Sequence, residues 1–139
     1  MRRKPRVFVL DSWAVLAYLG DEAPGEKVAD IIASAQDEGA ALTMSIVNAG
    51  EVWYILAREV SEFEADGAVA NLRLLGIQLV DVDWKLTRLA GAIKARHRMS
   101  YADCFAAALA KESRAELLTG DKEFEQVEGE IKIAWLQSP

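Results

Sequence analysis

The chain has 139 residues, 52% hydrophobic and 27% charged, the balance of a single soluble globular domain, which excludes intrinsic disorder. A domain of this size buries roughly two-thirds of its unfolded surface, so it needs no disulfide or structural metal to fold. The net charge of -6, from 16 basic and 22 acidic residues, argues against a bulk nucleic-acid binder unless clustered carboxylates recruit cations.

In chain order, Arg6 to Leu10 is a short β-branched and aromatic run, read as a buried strand. Ser12 to Leu19 follows as a helix stopped by Gly20, and Pro24 opens a second helix that ends at Gly39. Ala41 to Met44 reads as the second strand, and Ser45 caps a helix reaching about Glu59. Ser61 and Glu64 have the spacing of a capping box for a helix to Leu75. Ile77 to Val82 is the third strand. Asp83 caps a helix from Trp84 to about Arg96, and Ser100 caps another from Tyr101 to Ser113. Glu116 to Leu118 is a fourth strand and Ile131 to Trp135 a fifth. Strands alternating with helices specify an α/β domain with a mostly parallel sheet.

No stretch approaches the roughly 18 uninterrupted apolar residues of a membrane span. Arg2-Arg3-Lys4 precedes only Val7 to Leu10 before Asp11, too short an apolar run for a secretory signal. A cytoplasmic protein is therefore expected. The single Cys104 suits a reducing compartment, and it reads as a small buried hydrophobe.

Ligands of such sheets sit outside the carboxyl ends of the strands. Asp11 directly follows the first strand, and Asp121 follows the fourth after Thr119-Gly120. Asp103 lies in the first turn of a helix that begins at the same edge. Glu51 is roughly 9 Å along its helix from Ser45, and helical side chains lean back toward the N-terminus. All four acids can therefore converge. Each also has a purely structural reading: Asp11 and Asp121 as helix caps, Asp103 as the partner of Ser100, Glu51 on a solvated face. Clustered carboxylates repel unless a cation compensates, and an all-oxygen set suits Mg²⁺ or Mn²⁺ rather than zinc. Asn48 shares the helical face of Glu51, while Ser12 and Thr119 offer hydroxyls beside the acids. Ala102, Ala106, Ala107 and Ala110 let the Asp103 helix pack closely.

Asp11-Ser12, then Asn48-x-x-Glu51, then Ser100-Tyr101-Ala102-Asp103-Cys104, then Thr119-Gly120-Asp121 resembles the PIN-domain ribonucleases, and within them the VapC-type toxins of toxin–antitoxin systems. The resemblance spans about Val7 to Leu136. It implies a PIN-like α/β/α sandwich, a central mostly parallel sheet of four to five short strands, and one nuclease domain over residues 1–139. Residues 1–6 then form a basic N-terminal extension. The implied activity is Mg²⁺- or Mn²⁺-dependent endonucleolytic cleavage of RNA. Asp11, Glu51, Asp103 and Asp121 match the family's acidic quartet, and Glu123 falls where many members carry a further acid. The resemblance also implies a homodimer and an antitoxin partner whose tail covers the acidic cleft.

Hydrolysis of a phosphodiester needs charge stabilisation and a water made nucleophilic near neutral pH, and a carboxylate-held metal provides both. The expected ligands are Asp11, Asp103 and Asp121, with Glu51 binding a second ion or orienting water. Two divalent ions would bring the net charge to about -2. Lys94, Arg96 and Arg98 precede the Asp103 helix and can flank the site to steer RNA, or simply form a basic helix end. His97 reads as a surface or RNA-contact residue. Trp13, Trp84 and Trp135 are expected in the core. Trp53, Tyr54 and Phe63 either pack helix on helix or line a partner surface. Two rival classes are a catalytically silent PIN-like protein-binding subunit and a receiver-like phosphoacceptor. The second lacks a matching lysine at a strand end.

Overall fold

The computed structural model describes residues 5–137. Five short strands, β1 (Val7–Leu10), β2 (Ala41–Ser45), β3 (Ile77–Val80), β4 (Glu116–Thr119) and β5 (Lys132–Trp135), form one sheet in the order β3-β2-β1-β4-β5. Every pairing is parallel, so the expected mostly parallel sheet is wholly parallel among the described residues. The connections carry α1 (Ser12–Leu19), α2 (Ala23–Glu38), α3 (Ile46–Glu59), α4 (Glu62–Leu74), α5 (Trp84–Arg96) and α6 (Tyr101–Ser113), with a 3₁₀ segment at Lys122–Val127.

The period of two along each strand divides the core into two layers. Phe8 and Leu10 of β1 and Leu118 of β4 face α1, α2, α3 and α4. Val9 and Leu117, their neighbours in sequence, face α5, α6 and the 3₁₀ segment. This is the three-layer sandwich that the sequence implies. Helix α6 is buried from Asp103 to Ala110, and its alanines allow that central position. Cys104 is buried within it.

Helix starts follow the expected capping chemistry. Side chains of Asp11, Ser45, Ser61, Asp83 and Ser100 accept from main-chain N–H groups in the first turns of α1, α3, α4, α5 and α6. Gly39 ends α2 at φ 71°, a left-handed cap that a side chain would strain. Strand β3 stops at Val80, short of the expected Val82.

One expectation needs correction. Trp84, the first residue of α5, is 74% exposed instead of buried. Trp13 and Trp135 are half-buried and pack against the two core layers, as expected. Of the expected basic extension, residues 1–4 lie outside the described residues. Arg6 pairs with Glu116 at 2.8 Å and lies over the Phe8 ring. No described helix is long and apolar enough to cross a membrane.

Candidate active site

Strand order places the site. The chain adds β2 and β3 on one side of β1, then returns to lay β4 on the other, so the sheet's direction of growth reverses at β1. A crevice opens where two such strands end side by side. Asp11 leaves β1 there and Thr119-Gly120-Asp121 leaves β4. The two ends are joined directly: the Thr119 hydroxyl donates to Asp11 Oδ2 at 2.5 Å.

Asp11 is fully buried, and its Oδ1 accepts from Ala14 N at 2.8 Å. It therefore caps α1 and belongs to the crevice at once. Asp121 does the same, its Oδ1 accepting from Glu123 N at 2.9 Å while its own N–H donates to Thr119 Oγ1 at 3.0 Å. Ser100 caps α6 through Asp103 N at 3.2 Å, and Glu123 Oε1 accepts from Ser100 N at 2.5 Å. Glu51 on α3 accepts from the Ser12 hydroxyl. Asn48, one turn before Glu51 and fully buried, donates to the Ala102 carbonyl at 3.0 Å and so ties α3 to the start of α6.

Carboxylate oxygens of Asp103, Asp121 and Glu123 all lie within 4.8 Å of one another. Glu123 is thus drawn fully into the cluster. Asp11 is buried near enough to feel the charges of Asp103 and Asp121, and Glu51 lines the cleft with the trio. Burial, then the bonds from Thr119 and Ala14 pulling the other way, then the charges of Asp103 and Asp121, set the Asp11 carboxyl, which is pushed up to about 8. Asp103 is pushed up to about 7, by burial first and then by the charges of Asp121 and Glu123. Both groups resist ionisation because burial disfavours the charged form and neighbouring carboxylates add repulsion. The donors are oxygens throughout, with neither histidine nor thiolate in the cleft lining, and that set fits a hard divalent ion.

The cleft, of about 250 Å³, is lined by Ser12, Glu51, Ser100, Asp103, Asp121 and Glu123, and also by Trp13, Leu16 and Ile55. The last three were not expected there. One signal was available in the sequence: Trp13 and Leu16 follow Asp11 on the first turns of α1, and Ile55 is one turn after Glu51. Gly120 is the other trace, because a Cβ there would lie 2.2–2.6 Å from three ring carbons of Trp13.

The basic residues lie elsewhere. Lys94 Nζ donates to the Met99 carbonyl at 2.6 Å, and Arg96 pairs with Glu130 at 2.8 Å. Arg98 exchanges main-chain hydrogen bonds with the Gln126 side chain at 3.0 Å. None of the three lines the cleft. His97 also pairs with Glu130, at 3.0 Å. The Trp53 indole donates to Asp66 at 2.9 Å, which makes it part of the α3–α4 packing, whereas Tyr54 and Phe63 are exposed.

The family model of the PIN domain matches residues 8–130. The chain belongs to the PIN-domain family. No curated protein matches it by sequence comparison. Among solved structures, the fold of this PIN domain is shared with the DNA-bound VapBC complex of Salmonella typhimurium at 15% identity and a TM-score of 0.76, covering 95% of this chain and 99% of that one. Mycobacterium tuberculosis VapC20, described as a Sarcin-Ricin loop cleaving toxin, is similar at 21% identity and a TM-score of 0.69, over 86% of this chain and 94% of that one. VapBC2 from Rickettsia felis, bound to a promoter DNA fragment, is similar at 14% identity and a TM-score of 0.71, over 92% and 97%. The PIN domain here thus has the architecture of those toxin–antitoxin proteins.

Proposed function

We propose that this PIN domain is a divalent-metal-dependent endoribonuclease, the cytoplasmic toxin of a VapBC-type pair. The observation that carries this reading is the meeting of Asp11, Glu51, Asp103, Asp121 and Glu123 at the point where the parallel sheet reverses its growth. Asp103, Asp121 and Glu123 would hold Mg²⁺ or Mn²⁺, with Asp11 buried near Asp103 and Asp121 and Glu51 lining the same cleft. When bound, the ion supplies Lewis acidity to the phosphoryl group and makes water more acidic near neutral pH.

The protein's own groups prepare that chemistry. Thr119 and Ala14 fix the plane of the Asp11 carboxyl, so its charge stays in register with Asp103 and Asp121. Ser12 holds Glu51 toward the cleft, where it can orient a water or bind a second ion. The absence of lysine from the cleft lining disfavours a receiver-like phosphoacceptor. The resemblance of fold to VapBC complexes supports an antitoxin partner, and the reading adds that the antitoxin's tail covers the cleft and that the toxin is a homodimer.

The test is cleavage of a long mixed-structure RNA by partner-free protein in Mg²⁺, Mn²⁺ or EDTA, beside Asp11→Asn. Fragments that require metal and vanish in the variant are expected. Full activity in Asp11→Asn, or no cleavage by folded, metal-binding protein, would overturn the assignment and favour a silent binding subunit.

A further inference from the structure

The acidic cleft has a second wall of different chemistry. Trp13, Leu16 and Ile55 line the same opening as Ser100, Asp103, Asp121 and Glu123. All three are half-buried. The Trp13 ring lies against Gly120, the one residue between Thr119 and Asp121, and only a glycine leaves room for it. A tryptophan pinned at one edge is a rigid surface available to a ligand.

We propose that Trp13 is a stacking platform for an unpaired nucleobase beside the scissile phosphate. This rests on the nuclease reading above and adds the residue that receives the base. The cleft lining contains no lysine or arginine, and the chain carries a net charge of -6, so the usual electrostatic hold on a phosphate backbone is missing. Stacking supplies affinity without charge, and every base offers a π face. A base inside a duplex is already stacked on its neighbours, so only an unpaired one can take the indole. The platform is continuous with the carboxylates, and one sugar joins a base to its phosphate. What places a phosphate at the acids therefore places a base at Trp13.

The experiment compares wild type, Trp13→Phe and Trp13→Leu on an unstructured oligoribonucleotide and on copies carrying one abasic position each. Trp13→Leu is expected to raise KM roughly tenfold, the loss of one stacked base, with a smaller rise for Trp13→Phe. At one position the abasic substrate should penalise wild type and leave Trp13→Leu unaffected, a coupling that a merely structural role does not produce. Unfolding midpoints and Mn²⁺ affinities of the variants serve as fold controls. Wild-type KM in Trp13→Leu, or equal abasic penalties in both proteins, overturns the platform and leaves the nuclease intact. Failure of wild type to cleave any RNA overturns the nuclease reading, and the platform with it. Protection of Trp13 from oxidation by an arginine-rich peptide but not by the oligonucleotide assigns the wall to a protein segment and overturns the proposal.

Discussion

The buried Asp11 makes the stability of the metal-free protein depend on pH in a direction opposite to that of an ordinary ion-paired carboxylate. Its carboxyl is pushed up from 3.8 to about 8, so the folded state keeps a proton that the unfolded chain releases. Stability is then fully present below about pH 4 and is lost as pH rises through about 8. Four units of displacement correspond to about 5 kcal/mol at pH 8 as an upper bound, a large fraction of the ~5–15 kcal/mol of a typical domain. Asp103, pushed up to about 7, acts in the same direction, but the two carboxyls sense each other's charge and their effects do not add. Asp11→Asn removes the titration. It also turns an NH₂ toward Thr119 Oγ1, which must then accept instead of donate, at a cost of about 1 kcal/mol. Urea unfolding in EDTA, followed by tryptophan fluorescence at pH 4, 6 and 8, should show the two proteins crossing between pH 4 and 6. Wild type is the more stable at pH 4 and Asp11→Asn at pH 8. Parallel curves, or a variant weaker at every pH, would show that the Asp11 carboxyl is not held neutral.

Two further outcomes follow from the same electrostatics. Near pH 6.5 Asp11 and Asp103 are mostly protonated without metal, so binding Mn²⁺ should release protons and tighten as pH rises from 6 to 8. Calorimetry in buffers of different ionisation enthalpy reads the protons, and an affinity indifferent to pH refutes the coupling. Thr119→Val removes the donor to Asp11 and the acceptor of Asp121 N, at a cost of about 1–3 kcal/mol. Because the Thr119 bond lowers the Asp11 pKa, the variant should bind Mn²⁺ only at more alkaline pH than wild type, and an unshifted profile counts against it.

The helices were legible because their starts are written in local chemistry. Asp83 before Trp84 and Ser100 before Tyr101 mark the observed first residues of α5 and α6, since a capping side chain acts within three residues. The acids at strand ends were legible for a related reason: once strands and helices alternate, the sheet edge of each residue is fixed. The aromatic residues were not. Trp84 and Trp13 both stand at helix starts, where the amphipathic period does not yet say which way a side chain turns. Trp84 projects into solvent and Trp13 lies over Gly120, a contact between segments more than a hundred positions apart. Of the basic run before α6, Arg96 and His97 pair with Glu130, from beyond the 3₁₀ segment, a partner that nearness in sequence to Asp103 does not reveal.

The structural and functional readings of the acids were posed as rivals, and the fold makes them one arrangement. Asp11 is fixed by the first turn of α1, Asp121 by the start of the 3₁₀ segment, and Glu123 by the main chain just before α6. Helix starts expose unpaired N–H groups and a positive dipole end, which favour nearby anions. Several helix starts at one sheet edge therefore hold acids that would otherwise repel one another: Asp121 and Glu123 each by one oxygen, and Asp11 by both, with Thr119 taking the second. That is a site assembled before any cation arrives. It is also why a neutral side chain at position 11 should relax the metal-free fold at alkaline pH: the cap survives the substitution, and only the uncompensated charge is lost.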